Sequence, residues 1–401
     1  MAHRGDLPGA KHLDVTTFLV ALACALAVAS TAVFLAAMPL LPRLAASRDF
    51  VVYWSTGQQL VHHGNPYDAA AMGALEHSTG FSAKGSYYMR NLPWGLWLAW
   101  PLGFFSTRVA SLPWSLLMLA LLIASVRILW QMFGRRGSHL EWLGYCFPPG
   151  LLCVVNGQTS LLLVLGVILF LRLHRSRPFW AGAALWLCTL KPHLFLPFGF
   201  VLLAWIVVSR SYRIVLGTAA AMGAGCLLTA CVDPAAWLQY AHWARTSGIS
   251  SEYIPCLSVA LRNLIDPRAS WLAFVPSIAG CVWALVYFWP RRHAWDWLED
   301  GSLVMLISLL VAPYCWIYDQ CLALPAVLYG VCRSSSRTLL AVLASIYILI
   351  EVETFHSFWE ASPWYLWIAP AWVAWFLLAR ASARGVQAPQ ASPTAAATST
   401  G

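Results

Sequence analysis

Residues 178–209 read PFWAGAALWLCTLKPHLFLPFGFVLLAWIVVS, two apolar runs that meet at a single lysine, Lys191. A membrane-spanning helix needs about 20 apolar residues, and a lysine inside such a helix costs about 2.5–3.5 kcal/mol on insertion scales. Pro192 follows directly and interrupts helical hydrogen bonding, because it has no backbone N–H. The stretch therefore predicts two apolar helices separated by a break that holds one charge.

The same alternation of long apolar runs and short polar breaks continues along the whole chain of 401 residues. Hydrophobic residues make up 60% and charged residues 10%, whereas a soluble domain is about 25% charged. This composition excludes a soluble enzyme, a disordered chain and a coiled coil, and the continuous runs differ from the short alternating segments of a β-barrel. The runs cover residues 17–41, 91–106, 109–131, 142–155, 157–171, 178–190, 192–209, 214–231, 270–290, 301–317, 320–332, 338–354 and 364–379. The predicted fold class is all-α, a polytopic transmembrane helical bundle.

Arginine clusters follow every second run in the second half of the chain and predict its orientation. They are Arg172/Arg175/Arg177, Arg210/Arg213, Arg291/Arg292, Arg333/Arg337 and Arg380/Arg384. Basic loops stay in the cytoplasm, so residues 42–90 and 232–268 are predicted to be extracytoplasmic loops. An odd number of runs precedes Arg172, so one of them does not cross. We favour 91–106 as a re-entrant or interfacial segment, and a single broken span over 142–171 is the alternative.

About twelve spans then form one integral membrane domain over residues 1–380. The Ala/Pro/Ser/Thr-rich segment 381–401 is predicted to be a disordered cytoplasmic tail. The formal net charge of +9 does not indicate nucleic acid, because the arginines flank apolar runs. The 11 cysteines form no CxxC pair, and GxGxxG, Walker A, HExxH and DxD motifs are absent from the sequence. We therefore expect no metal, no cofactor and no nucleic-acid partner.

Asp49 follows the first apolar run, in the sequence RDFVVYW (48–54). A carboxylate at the membrane surface can act as a general base. It can equally cap a helix predicted over residues 50–61, whose apolar side would lie on the bilayer. That side comprises Phe50, Val51, Trp54 and Val61. Position along the chain leaves both interpretations open.

Lys191 is a functional candidate because a charge retained among so much hydrocarbon needs a reason. Its natural partner is a phosphate, and Lys191→Met would then remove an expensive charge without harming insertion. The alternative is a short interfacial turn from which the side chain snorkels to water. The residues themselves do not decide between the two.

Three other polar positions stand out. Gln158, in NGQTS (156–160), lines a cavity or belongs to an ordinary polar cap. Tyr318 and Asp319 interrupt two apolar runs, and an aspartate there needs a partner or a function. Arg262, in the second polar segment, contacts an anion or belongs to a solvated loop.

Six short motifs follow one another along the chain. They are RDFVVYW (48–54), GNPYD (64–68), NLPWGLWLAWPL (91–102), NGQTS (156–160), LKPHL (190–194) and APYCWIYDQ (312–320). In this order the chain resembles glycosyltransferase family 87 over residues 15–380. That family belongs to the GT-C superfamily of polyprenyl-phosphate-sugar-dependent glycosyltransferases, and its best-known members are mannosyltransferases. The resemblance places the family's catalytic aspartate at Asp49 and its Lys-Pro motif at Lys191-Pro192.

The chain departs from the family pattern at two places. Relatives often have consecutive prolines where this chain has Asn91-Leu92-Pro93. Some relatives carry histidines near the late Trp motif, where this chain has Tyr318-Asp319. The second departure is compatible with a different sugar or acceptor.

The resemblance implies an inverting transfer of a sugar, mannose first among the choices, from a polyprenyl-phosphate donor to a lipid or glycan acceptor. The reaction is expected at the outer face of the cytoplasmic (inner) membrane, among membrane lipids. Asp49 is predicted to be the base, and Lys191 with His193 to hold the donor phosphate. Residues predicted to contact the substrates are Tyr53, Arg90, Gln158, Tyr318, Asp319 and Arg262. The alternative is a transporter or flippase of a lipid-linked sugar, which is expected to show repeated halves that the sequence lacks.

Overall fold

The computed structural model describes residues 15–36, 49–80, 89–133, 139–246, 254–334, 336–357 and 362–387. This part of the chain is helical and contains no strand. Its α-helices are α1 (Val15–Ala36), α2 (Phe50–Val61), α3 (Ala69–Ser78), α4 (Thr107–Phe133), α5 (Trp142–Tyr145), α6 (Pro148–Asn156), α7 (Ser160–Leu173), α8 (Pro178–Leu185), α9 (Leu196–Ser209), α10 (Arg213–Val232), α11 (Ala236–Thr246), α12 (Leu257–Ile265), α13 (Val275–Phe288), α14 (Asp300–Val311), α15 (Leu324–Arg333), α16 (Arg337–Ser357) and α17 (Ile368–Gln387). Short 3₁₀-helices connect several of them.

Five helical segments of the described chain are long and apolar enough to cross a membrane. They are Thr107–Phe133, Pro192–Ser209, Arg213–Val232, Ser270–Arg291 and Pro363–Arg384. Shorter apolar helices are Val20–Val33, Ser160–Leu173, Pro178–Leu190 and Asp300–Val311. The prediction of an all-helical membrane protein is thus confirmed, and the count of about twelve spans stays a prediction.

Proline and glycine break the apolar runs at defined places. Residues 91–106 form two 3₁₀-helices, Pro93–Leu98 and Trp100–Phe104, rather than one helix of membrane length. The run 142–171 is divided into three helices, and α6 ends at Gly157, whose φ of 71° lies in the left-handed region that glycine adopts most easily. The polar residues beside these breaks therefore lie in turns between helices and not within a continuous helix.

Helix α2 confirms the helix predicted after Asp49, but the prediction that its apolar side lies on the bilayer is wrong. Phe50 and Val51 are completely buried inside the protein. The indole of Trp54 donates a 2.8 Å hydrogen bond to the carbonyl of Phe105. The helix is covered by protein because it packs against the 3₁₀-helix Trp100–Phe104.

Two glycines allow this close approach. Gly57 of α2 and Gly103 pack backbone against backbone, and a Cβ on Gly103 would overlap the Gly57 carbonyl. The side chain of Gln58 adds a 2.7 Å hydrogen bond to the Gly103 carbonyl. The contact sets the position of α2, and with it the position of Asp49 immediately before the helix.

Three helices of the core begin near a polar break and end at an arginine. Helix α7 begins at Ser160 and has Arg172 in its last turn, and α15 ends at Arg333. Helix α9 ends at Ser209, with Arg210 as its C-cap. The starts of these helices lie next to the polar breaks around Gln158, Lys191 and Asp319, so the basic clusters lie at the opposite ends of the same helices.

At the basic end, an ion-pair network joins α13, α14 and α17. Arg380 contacts Glu299, donates to the Asp300 carboxylate at 2.8 Å and donates to the Tyr287 hydroxyl at 2.7 Å. Helix α17 continues to Gln387, so the disordered tail does not start at 381 as predicted. Residues 388–401 of that predicted tail lie outside the described residues.

The contact between Gly57 and Gly103 predicts that this position does not tolerate a larger side chain. Gly103→Ala places a methyl group against the α2 backbone, which has no flexible side chain to move away. Overpacking of this kind costs about 1–3 kcal/mol, so we expect a lower midpoint of thermal unfolding in detergent and a loss of activity as α2 shifts. The matched control is Gly199→Ala, where no atom of the described chain lies within 4 Å of the new Cβ. Equal stability of the two variants would contradict the role assigned to this contact.

Candidate active site

Lys191 lies in a break between two 3₁₀-helices, and its ammonium group is held by three side chains. Its Nζ donates to Asp319 Oδ1 at 2.7 Å, to Ser160 Oγ at 2.9 Å and to Gln158 Oε1 at 3.3 Å. The Lys191 side chain is 11% exposed and that of Asp319 is 1% exposed. The snorkelling interpretation of Lys191 is therefore wrong, because the charge points into the protein.

Asp319 is the counter-ion that the sequence left unidentified. Ser160 Oγ donates to Asp319 Oδ1 at 2.5 Å, and the backbone N–H of Trp316 donates to Oδ2 at 3.1 Å. Both carboxylate oxygens are thus satisfied, as a buried charge requires. The ion pair joins the break at Lys191 to the 3₁₀-helix Ile317–Ala323 that precedes α15, and the hydrogen bond from Ser160 joins the start of α7 to the same 3₁₀-helix.

Asp49 lies at the other side of this group of polar residues. Gln158 Nε2 donates to Asp49 Oδ2 at 2.7 Å, and the Asp49 side chain makes no capping hydrogen bond to α2. The capping interpretation is therefore wrong for the side chain. As a whole residue Asp49 is partly exposed, unlike Asp319.

Gln158 connects the carboxylate of Asp49 to the ammonium group of Lys191. Its amide nitrogen donates to Asp49, while its oxygen accepts from Lys191 and, at 3.0 Å, from the hydroxyl of Tyr53. The Tyr53 hydroxyl also lies 3.1 Å from Thr159 Oγ1. One amide therefore fixes the distance between a carboxylate and an ammonium group.

One aromatic ring lies close to the ammonium group of Lys191, and two more lie within electrostatic reach of it. The ring of Tyr318 lies 5.1 Å from Lys191 Nζ, in the range of a cation–π interaction. His193 stacks on Tyr314 with ring centroids 3.7 Å apart. Its Nε2 atom is buried and has no hydrogen-bond partner in the described part of the chain. His193 is thus beside the ion pair but does not contact it through a hydrogen bond.

The two arginines predicted to bind substrate have different surroundings. Arg262 is 3% exposed within α12, so the solvated-loop interpretation is wrong, and its Nη2 lies 3.5 Å from Asn263 Oδ1. Arg90 is partly buried and lies within electrostatic reach of Tyr314.

Sequence reasoning missed Ser160, Thr159 and Tyr314. Ser160 and Thr159 stand in the NGQTS motif, but a serine that begins a helix reads as an ordinary cap. Their hydrogen bonds to Asp319 and Tyr53 depend on chain segments far away in sequence. Tyr314 offered no signal beyond its place in the late aromatic motif.

The arrangement has two chemical capacities. The carboxylate of the partly exposed Asp49 can accept a proton from a hydroxyl group. The ammonium group of Lys191, in a setting with little water, can stabilise negative charge that develops on a leaving group.

The family model of glycosyltransferase family 87 matches residues 91–313, more than half of the chain. The chain belongs to glycosyltransferase family 87. The matched region of this glycosyltransferase contains Gln158, Ser160 and Lys191, while Asp49 and Asp319 lie outside it. Comparisons with curated proteins and with solved structures found no match.

The ion pair changes the expectation for Lys191→Met. In this glycosyltransferase the substitution leaves the Asp319 carboxylate buried without its cation, which costs about 3–5 kcal/mol. We expect a lower unfolding midpoint for Lys191→Met and for Asp319→Asn alone, and partial recovery in the double variant. The exposed Arg213→Met, which also removes one positive charge, is the control. Thermal unfolding in detergent measures all four proteins. Parental stability of Lys191→Met would mean that the pair contributes nothing to the fold.

Proposed function

We propose that this glycosyltransferase transfers mannose from a polyprenyl-phosphate carrier to a hydroxyl group of a lipid or glycan acceptor, with inversion at the anomeric carbon. The observation that supports this most is the pairing of a partly exposed carboxylate with a buried cation through one amide, Asp49–Gln158–Lys191. Inverting transfer needs a base on one side of the sugar and charge stabilisation at the leaving group on the other.

The leaving group in this proposal is a lipid phosphate. Lys191 immediately precedes a segment long and apolar enough to span a membrane, Pro192–Ser209. A donor with a hydrocarbon tail can keep that tail in the bilayer while its phosphate reaches Lys191. The phosphate then shares the ammonium group with Asp319 or displaces Asp319 from it. His193, next in line after Pro192, is the second proposed phosphate contact.

Asp49 is the proposed base. The acceptor oxygen attacks the anomeric carbon and forms the new glycosidic bond, while the hydroxyl proton passes to Asp49. The bond between the anomeric carbon and the phosphate oxygen breaks, and polyprenyl phosphate leaves with the electron pair. Lys191 stabilises the negative charge on that oxygen. No other reactant is required.

The remaining substrate contacts are assigned by position. Tyr53 and Gln158 hold Asp49 and Lys191 in place, and Tyr318 covers the ammonium group of Lys191. Arg90 and Arg262 are proposed to contact the substrates from the polar segments before and after the central helices.

We further propose a single GT-C-type domain over residues 1–380 in the cytoplasmic (inner) membrane, with the active site facing outward. The arginine clusters at the ends of α7, α9 and α15 support this orientation, since basic residues stay on the cytoplasmic side. The polar residues of the site lie at the starts of those helices. Residues 42–90 and 232–268 are then extracytoplasmic, and the chain crosses about twelve times.

Asp49→Asn tests the function directly. The amide keeps the size of the side chain but cannot accept the acceptor proton, so we expect about a 10²–10⁴-fold loss of turnover with polyprenyl-phosphate mannose as donor. Asp68→Asn is the matched control, because Asp68 caps α3 through its side chain and asparagine caps equally well. Transfer of labelled mannose by purified protein in nanodiscs is the measurement. Parental turnover in Asp49→Asn would remove Asp49 as the base.

The pH dependence gives a second test. Burial raises the pKa of Asp49, and the hydrogen bond from Gln158 and the charge of Lys191 offset this only in part. A base works when it is ionised, so kcat/KM should fall as the pH drops through this raised pKa. We expect the acid limb above the value of about 3.9 for an ordinary aspartate. Gln158→Leu should move that limb further up, because it removes a bond that favours the carboxylate. An acid limb at the ordinary value, unchanged by Gln158→Leu, would contradict the assignment.

A further inference from the structure

Helix α11 contributes two rings to a cluster of three aromatic residues that the proposed mechanism does not use. Tyr67 packs edge-on against Tyr240, with ring centroids 5.3 Å apart, and stacks on Trp243 at 6.0 Å. Tyr240 and Trp243 also pack against each other at 5.6 Å. Tyr67 is buried, whereas Tyr240 and Trp243 are partly exposed. We call these three residues the aromatic cluster.

A first connection runs from the aromatic cluster to the Asp49 side of the active site. The Tyr67 hydroxyl donates to the backbone carbonyl of Asn91 at 2.9 Å. Asn91 lines a small cavity together with Tyr53 and Thr159. Tyr53 in turn bonds Gln158, the partner of Asp49. The cluster and the proposed base therefore border the same region of the protein.

A second connection runs to the Lys191 side. Tyr314 lies within electrostatic reach of Lys191, of Asp319 and of Tyr240. It also stacks on His193. Tyr314 is therefore near both the ion pair and the aromatic ring of Tyr240 on α11.

A polar group with an open position accompanies the rings. Gln239 precedes Tyr240 on α11, and its Nε2 lies 3.4 Å from the carbonyl of Gly64. Its Oε1 is buried and has no hydrogen-bond partner within the described residues. A buried acceptor without a partner is costly and suits a hydroxyl group supplied by a ligand.

We propose that the aromatic cluster and Gln239 form the acceptor subsite and bind a pyranose ring of a glycan or glycolipid headgroup. This inference rests on the proposed function. A pyranose has an apolar C–H face that packs on aromatic rings and hydroxyl groups at its edge that reach a polar acceptor such as Gln239 Oε1. The ring next to the bound one then extends toward Tyr53 and presents its hydroxyl to Asp49.

Anchoring in the membrane interface does not account for these rings. An interfacial anchor turns its aromatic residues outward to the headgroups. Here Tyr240 and Trp243 turn toward the buried Tyr67, while Leu238 of the same helix is 78% exposed. The aromatic face of α11 therefore points to the region of the active site.

The first experiment measures binding independently of transfer. Saturation-transfer NMR with methyl mannoside, glucoside and galactoside is recorded on the full chain in nanodiscs. We expect at least one glycoside to bind the parent and the Asp49→Asn variant alike. Trp243→Leu and Tyr240→Leu should weaken that binding about three- to tenfold, the range expected for loss of a stacked ring. Tyr240→Phe, which keeps the ring, and Leu238→Ala, an exposed position on the same helix, should retain it.

The second experiment uses octyl hexopyranosides as acceptors and polyprenyl-phosphate mannose as donor. Trp243→Leu, Tyr240→Leu and Gln239→Leu should each raise the acceptor KM. The kcat at saturation and the donor KM should stay unchanged, which a general loss of packing would not produce. The unfolding midpoint is recorded for each variant. If Trp243→Leu folds poorly, Tyr240→Leu still tests the subsite, because Tyr240 is partly exposed.

The outcomes separate this inference from the proposed function. Glycoside binding that depends on Trp243 and Tyr240, without transfer from the polyprenyl donor, would keep the subsite and overturn the donor assignment. Transfer with an unchanged acceptor KM in all three variants would keep the function and overturn the subsite. Absence of binding of every glycoside to the parent, or equal binding by parent and leucine variants, would also overturn it.

Discussion

The ion pair between Lys191 and Asp319 is the interaction on which the candidate active site depends. A charge buried among apolar helices requires a partner, and here the partner comes from a segment 128 residues further along the chain. Ser160 completes the pair by hydrogen bonding to both charges. Because Ser160 begins α7, and Lys191 and Asp319 lie shortly before α9 and α15, their pairing brings the starts of three helices together, while the arginines lie at the other ends of these helices.

A second constraint positions the carboxylate of Asp49. Helix α2 can place Asp49 near Gln158 only because Gly57 and Gly103 let two backbones touch. The amide of Gln158 then links the positions of the two charged groups, because it donates to the carboxylate of Asp49 and accepts from the ammonium group of Lys191. The candidate site is thus one connected hydrogen-bond network, and its carboxylate and its ammonium group are coupled through a single neutral side chain.

Much of the fold was predictable from the sequence, because apolar runs and the residues that interrupt them are local features. The helical class, the break at Lys191-Pro192 and the helix after Asp49 all follow from composition and spacing. The surroundings of that helix did not, since an apolar side packs equally well on lipid and on protein. In the structure, Gly57 and Gly103 let another backbone cover the helix. The sequence shows that a glycine is present, but it does not show which segment packs against that glycine.

By itself, the sequence of this family 87 glycosyltransferase determined which side chains were candidates: Asp49, Lys191, Gln158 and Asp319 stand out because polar groups are rare in so apolar a chain. It left open whether Asp49 caps a helix and whether Lys191 reaches water. Tertiary structure decided both, by placing Gln158 on Asp49 from 109 residues away and Asp319 on Lys191. It also made Ser160 part of the site and left His193 stacked on Tyr314. The physical reason is that a buried charge needs a complementary group close to it in space. Segments so far apart in the sequence come close to each other only when the helices pack.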